Sequence, residues 1–551
     1  MIIYKGLCVT EGLTKGKIFY LKSDTNRKIT TDIENAIKIT EERIDLLYNE
    51  TIKKSGYENG KIFLAYKMIL NDEFFILPIK NDIKIGVNPI EAVKKSAAKF
   101  HQVLSGNKDE YLKQRANDII HISDMIIDSM CDKKEIDLKE KVILVADDLS
   151  PADTIMLDES KILGIVTLNG GITSHTVILA KSMGIPAIVG IKTFDEELSG
   201  EFGYLDATSG KLLINLNNNE INEYEKLIEE EEKLKKYIEE YSCLECQTMD
   251  GEEISVYGNI GSLKEIDEKI NFDGIGLFRT EFLYSSKNKK ISLDEQIDIY
   301  KKVSDLVGDR PVTIRTLDVG GDKNISYLNL KEEENPFLGN RGIRLCLNSK
   351  TILFEEQIKA ILIAFNNRSV NLLIPMVTVI EEIRQVKQII DNVKKRLSEE
   401  NISFCRDVKL GIMIETPASA ICSDLFAKEC DFFSLGTNDL TQYVMATDRG
   451  NEDVSYLYYS YNSSVLRLIK YVIDIGKKNN IPVSVCGDVA ADFSMTKVLI
   501  GMGLKKFSVP FKLINKLKYT ISKITFRESK SLADTLLNCT DRDEAEDIIF
   551  P

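Results

Sequence analysis

The stretch KLGIMIETP, residues 409–417, is a short β-type run with an acidic residue, Glu415, near its C-terminal end. Runs of this kind recur between residues 254 and 510, and helical stretches separate them. The eight runs are ISVYGNI, GIGLFRTE, PVTIRTLD, NLLIPMV, KLGIMIETP, FFSLGTND, VSVCGD and KFSVP. Eight strands that alternate with helices predict a (β/α)8 (TIM) barrel, which we assign to residues 248–551.

Polar or reactive side chains lie at the C-terminal ends of these runs. In such barrels the C-terminal end of the strands carries the chemistry, and a purely structural barrel would scatter these residue types. The residues concerned are Arg279, Arg315, Glu415, Asn438, Asp439 and Cys486. We therefore expect a site at this end of the barrel.

The residue types at this end indicate what the site binds. Arginine forks match phosphate and carboxylate oxygens, and Glu415 and Asp439 form an oxygen set that suits Mg²⁺. The basic residues are Arg279, Arg315, Lys323, Arg341 and Arg344. Together they predict a small, doubly anionic substrate held by arginines and a metal ion. Local sequence leaves Cys486 open, either as a buried structural thiol or as an acid or nucleophile.

The first half of the chain changes character twice. Residues 1–30 and 132–218 contain short β-rich runs and predict a discontinuous α/β domain, whereas residues 31–131 have helical periodicity and predict an inserted helical bundle. Residues 219–247 contain a narrow apolar stripe among many Glu and Lys, which predicts a solvated linker helix.

One of only three histidines, His175, follows a Gly-Gly turn in NGGITSHTVILAKSMGIPAIVG, residues 169–190. The pattern predicts a strand, a tight turn and a helix whose first turn contains His175. Backbone N–H groups and the positive end of the helix dipole favour a neutral imidazole and stabilise an added phosphoryl group. Local sequence is equally consistent with a histidine that only packs there. His101 and His121 lack metal-ligand spacing, and we interpret both as structural.

Composition excludes several classes of protein. A chain of 551 residues is too long for one core, and its net charge of -14 disfavours a nucleic-acid partner. No apolar run is long enough for a membrane span and the N-terminus lacks a signal peptide, so we expect a cytoplasmic protein. The ten cysteines form no disulfide framework. Cys243 and Cys246 have CxxC spacing, but no second pair follows at zinc-site distance.

The chain contains seven sequence blocks in the following order: GGITSHT, GLFRTEFLY, IRTLDVGGDK, ENPFLGNRGIR, IMIETPASA, DFFSLGTNDLTQYVMATDRGN and VCGD. These blocks resemble those of Enzyme I of the bacterial sugar phosphotransferase system, the phosphoenolpyruvate-protein phosphotransferases. The resemblance covers essentially the whole chain. It implies a swivelling phosphohistidine α/β domain with an inserted helical bundle, followed by the barrel.

The resemblance also implies roles for individual residues. His175 would carry the phosphoryl group on Nε2, Thr154 would hydrogen-bond the resting histidine, and Cys486 would protonate the enolate to give pyruvate. Glu415 and Asp439 would bind Mg²⁺. The residues that would hold phosphoenolpyruvate are Arg279, Arg315, Arg341, Asn438 and Arg449.

Partners follow from the same resemblance. The helical insertion, with DEYLKQRANDI at residues 109–119, would dock the histidine phosphocarrier HPr, and the barrel domain would form a homodimer. The sequence departs from the family pattern at Tyr66, where a histidine is common, and at Asp488, where glutamate is usual.

Two kinds of protein compete with this interpretation. Pyruvate phosphate dikinases and phosphoenolpyruvate synthases share the histidine and barrel modules, but they need an ATP-binding domain for which the residues before the barrel leave no room. A non-catalytic, phosphoenolpyruvate-sensing adaptor would need neither His175 nor Cys486.

Overall fold

The computed structural model describes residues 1–21, 29–55, 57–105, 110–131, 138–147, 149, 157–168, 180, 184–240, 245–285, 290–320, 325–328, 330–331, 333–449 and 451–550. The chain forms two compact units, Met1–Leu234 and Lys235–Pro551. No helix in the described ranges is both long enough and apolar enough to cross a membrane.

The first unit contains a mixed eight-stranded sheet with the order β1-β8-β7-β3-β4-β5-β6-β2. Strands β3 to β6 pair in parallel, and the other neighbours pair antiparallel. The parallel strands read as apolar runs such as VILVA because both faces of this part of the sheet are covered. The strands are β1 (Ile2–Lys5), β2 (Leu7–Thr10), β3 (Leu13–Leu21), β4 (Val142–Ala146), β5 (Ile162–Thr167), β6 (Ala187–Val189), β7 (Phe202–Asp206) and β8 (Lys211–Ile214).

In the described part of the segment between β3 and β4, five helices share a hydrophobic core of their own. Residues that recur three and four apart in α1, such as Ile44 and Leu47, point into that core, as their periodicity predicts. The chain enters and leaves this bundle at one place, where Ile29 bridges Cys131. The helices are α1 (Ile33–Ser55), α2 (Tyr57–Leu70), α3 (Glu73–Lys84), α4 (Pro89–Ser105) and α5 (Glu110–Met130).

The charged helix after the sheet is α6 (Asn218–Glu240). Its first half is not simply solvated, because Ile228 packs with Tyr204 and Leu213 of the sheet. Glu225 pairs with Lys15 and accepts a hydrogen bond from the Tyr204 hydroxyl at 2.9 Å. The apolar stripe that predicts the helix therefore attaches it to the α/β sheet.

The second unit contains a closed barrel of eight parallel strands, which confirms the predicted fold. Each of the eight β-type runs becomes one strand, and the barrel closes where the last strand pairs with the first. The strands are β9 (Ser255–Ile260), β10 (Ile275–Arg279), β11 (Val312–Arg315), β12 (Val370–Ile374), β13 (Val408–Ile414), β14 (Phe432–Leu435), β15 (Val483–Val485) and β16 (Lys506–Pro510).

Helices surround the barrel and share one large apolar core with its outer face. Long amphipathic helices such as those at 380–399 and 463–479 bury one face and expose charged residues on the other. They are α7 (Glu281–Ser285), α8 (Leu293–Val307), α9 (Ile343–Asn348), α10 (Thr351–Ala364), α11 (Ile380–Glu399), α12 (Pro417–Ile421), α13 (Ser423–Phe426), α14 (Thr437–Val444), α15 (Ser463–Asn479), α16 (Asp488–Ala491), α17 (Phe493–Gly501), α18 (Ile514–Ser522), α19 (Phe526–Leu537) and α20 (Arg542–Ile549).

Candidate active site

A cavity of about 270 Å³ opens at the C-terminal ends of the barrel strands. Side chains that the sequence places at this end meet around it. Those that line it are Arg279, Arg315, Arg341, Glu415, Asn438, Asp439, Arg449 and Cys486. The C-terminal ends of the strands therefore bring residues that are far apart in the chain to one cavity, as the sequence predicts.

Two arginines end neighbouring strands, and their Cα positions are in register, because Arg279 of β10 pairs with Arg315 of β11. Arg315 is buried and forms an ion pair with Glu281, whereas Arg279 lies 5.2 Å from the ring centroid of Phe282. The Nε atoms of both arginines are buried without a hydrogen-bond partner. Buried donors of this kind are costly unless an acceptor arrives, so this wall of the cavity suits an anionic ligand.

Asp318 connects two of the arginines. Its carboxylate lies 3.1 Å from Nε of Arg341 and 3.4 Å from Nη1 of Arg315, and it is fully buried. Arg341 in turn contacts Asp439 at 2.9 Å. Burial alone would lower the pKa of Arg341, but the charges of Asp318 and Asp439 raise it above its ordinary value. The guanidinium therefore stays charged and fixed in direction.

The backbone next to Arg341 passes close to Gly320, in the loop that follows β11. Gly320 has a φ of +108°, and a Cβ there would lie 2.7 Å from the carbonyl oxygen of Asn340 and 2.9 Å from the Cα of Arg341. A side chain at this position would displace the loop. The glycine thus allows the NPFLGNR loop to deliver Arg341 to the cavity.

Arg449 lines the cavity from the loop after α14 and is less buried than Arg315 and Arg341. Its Nη1 atom lies 3.9 Å from a carboxylate oxygen of Asp439, and its guanidinium lies 6.0 Å from the ring centroid of Phe337. Asp439 therefore has two arginine neighbours, Arg341 and Arg449.

The carboxylates of Glu415 and Asp439 line the same cavity. Glu415 is buried and accepts a hydrogen bond from the backbone N–H of Met376 at 2.6 Å. Met376 has a φ of 60°, a strained conformation for this residue type. Burial, together with the charges of Asp439 and Asp318, raises the pKa of Glu415 to about 8. A bound cation would relieve this crowding of negative charge.

Gly436 leaves room beside Glu415. A Cβ on Gly436 would lie 2.9 Å from Oε2 of Glu415. The two carboxylates fit Mg²⁺, which takes few protein carboxylates and completes its shell with water and substrate oxygens. Among the described residues no group of three or more His, Cys, Asp or Glu side chains is placed to hold a metal ion.

Cys486 follows β15 and is 8% exposed. Its sulfur accepts a hydrogen bond from the Ser434 hydroxyl at 3.2 Å and lies 3.6 Å from the carbonyl oxygen of Leu435. Burial raises the pKa of the thiol to about 11. The thiol therefore keeps its proton at neutral pH, which suits a proton donor and does not suit a thiolate nucleophile.

Asn438 is held by Asp488. Its side-chain amide donates to a carboxylate oxygen of Asp488 at 2.9 Å, and its side-chain oxygen accepts from the Asp488 backbone N–H at 2.8 Å. Asp488 thus orients Asn438 at the rim of the cavity.

Comparison with known proteins identifies the family. A model of the PEP-utilising enzyme PEP-binding domain matches residues 235–526, a mobile-domain model matches 138–210, and an N-terminal model matches 5–115. The phosphoenolpyruvate-protein phosphotransferase of Staphylococcus aureus is 36% identical over 99% of both chains. That of Haemophilus influenzae is 37% identical over 99% of this chain and 98% of its own, and that of Staphylococcus carnosus is 35% identical with 99% and 98% covered.

The chain belongs to the phosphoenolpyruvate-protein phosphotransferase family. This confirms the resemblance that the sequence blocks indicate. It also agrees with the closed barrel that the structure contains.

Not every residue expected for a phosphoenolpyruvate-protein phosphotransferase site lies in the cavity. Arg344 is absent from its lining, because its guanidinium donates to the carbonyl oxygens of Leu338 and Gly339 and to the Thr378 hydroxyl. Thr154, His175 and Lys323 lie outside the described residues, as does Cys243. Cys246 is buried, and burial raises the pKa of its thiol to about 12.

Sequence reasoning missed three residues at this site. They are Asn259 and Glu281, which line the cavity, and Asp318, which lies behind it. Glu281 and Asp318 are the last residues of the runs GIGLFRTE and PVTIRTLD. Their position at the strand ends could therefore have identified both as site residues. Asn259 lies within ISVYGNI, where an inward-facing amide has no pattern that marks it.

Proposed function

We propose that this chain transfers the phosphoryl group of phosphoenolpyruvate to its own His175, releases pyruvate, and passes the phosphoryl group to the histidine phosphocarrier HPr. The observation that carries the proposal is the cavity at the end of the barrel, where arginines, two carboxylates and a protonated thiol converge. Membership of the phosphoenolpyruvate-protein phosphotransferase family supports it independently.

The charges of the cavity suit the substrate. Phosphoenolpyruvate carries a phosphate and a carboxylate on a three-carbon frame, and each group is a partner for an arginine fork. We assign Arg279, Arg315, Arg341 and Arg449 to these two groups, with the amide of Asn438 assisting. Arg341 and Arg315 are already fixed by Asp318, so they lose little freedom when the substrate binds.

Glu415 and Asp439 would hold Mg²⁺ together with substrate oxygens. When bound, the ion supplies charge stabilisation for the phosphoryl group that is transferred. The arginines supply the rest from fixed positions, because preorganised cations need not reorient as charge develops.

The proposed reaction is a phosphoryl transfer followed by a proton transfer. Nε2 of neutral His175 attacks phosphorus in line, a P–N bond forms, and the P–O bond to the enolate breaks. The enolate then takes a proton on carbon from the Cys486 thiol and becomes pyruvate. The thiolate regains a proton from water after pyruvate leaves. Thr154 would hydrogen-bond the resting histidine, and Lys323 and Arg344 would support the arginine loops.

We assign the second half of the relay to the helical insertion, residues 31–131, as the HPr docking platform. Residues 1–30 with 132–218 would form the phosphohistidine domain, 219–247 the linker, and 248–551 the phosphoenolpyruvate-binding domain. Because His175 and the cavity lie in different units, the relay requires the phosphohistidine domain to approach the barrel and then move away. A cytoplasmic location and a homodimer formed through the barrel domain complete the proposal.

The test is incubation of the purified protein with Mg²⁺ and labelled phosphoenolpyruvate, followed by mapping of acid-labile phosphate and then addition of HPr. We expect label on His175 that passes to HPr. His175→Ala should abolish labelling and retain phosphoenolpyruvate binding to the barrel. Binding of phosphoenolpyruvate without label on the unmodified protein would instead support the sensing adaptor.

A further inference from the structure

Cys486 is held by residues of two other strands, β14 and β9. Its sulfur accepts a hydrogen bond from Ser434 at 3.2 Å, and its backbone N–H donates to the carbonyl oxygen of Leu435 at 3.2 Å. Its own carbonyl oxygen accepts from the side-chain amide of Asn259 at 3.3 Å. Ser434 is 1% exposed, so water does not compete for its hydroxyl.

The direction of the hydrogen bond between Ser434 and Cys486 follows from the neighbouring groups. The thiol hydrogen points to the carbonyl oxygen of Leu435, 3.6 Å from the sulfur, which accepts only. The Ser434 hydroxyl therefore approaches the sulfur as a donor. A donor stabilises a negatively charged sulfur more than a neutral one, because charge-assisted hydrogen bonds are the stronger kind.

We propose that Ser434 is a positioning residue that stabilises the thiolate of Cys486 and so sets the rate at which Cys486 protonates the enolate. This inference rests on the proposed function. The serine gives up no proton. The S–H bond of Cys486 breaks as the C–H bond of pyruvate forms, and the Ser434 hydroxyl continues to donate to the sulfur throughout.

The charges around the thiol agree with this role. Burial is the largest influence on Cys486 and raises its pKa, and the Ser434 hydrogen bond is the largest influence that lowers it. Arg315 and Arg279 lower the pKa further, and Glu415 raises it. Ser434 is thus the main group that opposes burial.

The chain offers a matched control on the next strand. Ser484 of β15 is the register partner of Ser434 on β14, and its hydroxyl donates to the carbonyl oxygen of Phe433 at 3.4 Å. Ser484→Ala therefore removes the same group from the same layer of the barrel. It leaves the hydrogen bond to the thiol intact.

The first experiment measures the thiol without substrate. The intact protein and its Ser434→Ala, Ser434→Thr and Ser484→Ala variants are alkylated with iodoacetamide from about pH 8 to about pH 11, and modification of Cys486 is followed by peptide mass spectrometry. Ser434→Ala should reduce the rate at a given pH about five- to tenfold and move the profile to higher pH. Ser434→Thr should restore the profile, and Ser484→Ala should leave it unchanged.

The second experiment measures pyruvate release. Ser434→Ala should lower kcat and leave the KM for phosphoenolpyruvate unchanged, whereas a merely structural serine would move the KM and the thermal midpoint as well. An alkylation profile of Ser434→Ala that coincides with that of the unsubstituted protein would overturn the inference. Failure of the unsubstituted protein to release pyruvate would overturn the proposed function, and the thiol profile would still test the hydrogen bond by itself.

Discussion

At the scale of single residues, the site depends on a carboxylate that does not face the substrate. Asp318 is fully buried and contacts both Arg315 and Arg341, which are buried themselves. Two buried guanidinium groups without a partner would be costly, because desolvation of a charge is repaid only by close opposite charge. Asp318 therefore both stabilises the barrel and orients two of its arginines.

Replacing this carboxylate tests both roles. Asp318→Asn keeps the shape and removes the charge, so the free energy of unfolding of the barrel should fall by about 3 kcal/mol. The KM for phosphoenolpyruvate should rise about tenfold, because Arg341 and Arg315 each lose one of the carboxylates that fix their orientation. Urea denaturation and steady-state pyruvate release measure the two effects.

The matched control is a carboxylate that also joins two cations but at the surface. Glu429 contacts Arg384 at 3.1 Å and Lys387 at 2.6 Å; Arg384 is exposed and Lys387 is half-buried. Glu429→Gln should change stability and KM little, because water screens exposed pairs. If Asp318→Asn were as mild as Glu429→Gln, Asp318 would have no part in holding the arginines.

At the scale of elements, the sequence predicts strands and their ends better than it predicts where long side chains turn. Arg279, Glu415 and Cys486 reach the cavity because each is fixed to a strand end, which periodicity locates. Arg341 lies in the loop before α9 and Arg344 in the first turn of that helix, yet of these two only Arg341 reaches the cavity. Loop conformation depends on distant contacts such as the close approach at Gly320, which no local pattern records.

The charged helix α6 also differs from its prediction. Its composition predicts a solvated linker, but Ile228 is 8% exposed against the sheet while its neighbour Leu227 is 40% exposed. Periodicity predicts the apolar stripe of α6. It does not predict which surface the stripe packs against, because that surface is formed by β7 and β8.

The two neighbours on α6 provide a test at the scale of this element. Ile228→Ala should lower the free energy of unfolding of the first unit by about 2 to 3 kcal/mol, because it removes packing against Tyr204 and Leu213. Leu227→Ala should have little effect. Thermal denaturation of the two variants measures the difference, and equal losses would mean that α6 does not pack on the sheet in solution.

At the scale of the whole molecule, buried cysteine thiols and tyrosine hydroxyls make the free energy of unfolding depend on pH. Burial raises the pKa of the Cys346 and Cys430 thiols from the ordinary 9.0 to about 12, and it raises the pKa of Tyr284 and Tyr300 above the ordinary 10.0. The folded protein therefore keeps protons that the unfolded chain releases. Stability from these groups is complete below pH 9.0 and is lost as the pH rises toward 12.

Alkaline unfolding measures this dependence. The urea midpoint should be constant from about pH 7 to about pH 8.5 and fall by about pH 10.5. Cys346→Ala should make the fall shallower, because one of the buried thiols no longer ionises on unfolding. A midpoint that stays constant to about pH 10.5 would contradict the burial of these groups.

The path of the chain makes the helical insertion separable from the sheet that it interrupts. The backbone N–H of Thr30 donates to the carbonyl oxygen of Met130 at 2.8 Å, so entry and exit lie side by side, and β3 and β4 pair directly. Replacing residues 32–129 by a short Gly-Ser linker should leave this pairing intact. Label from phosphoenolpyruvate should still reach His175, and transfer to HPr should be lost, because the docking platform is gone while donor and acceptor sites remain. Measured beside His175→Ala, which should lack both steps, continued transfer by the shortened chain would show that HPr docks elsewhere.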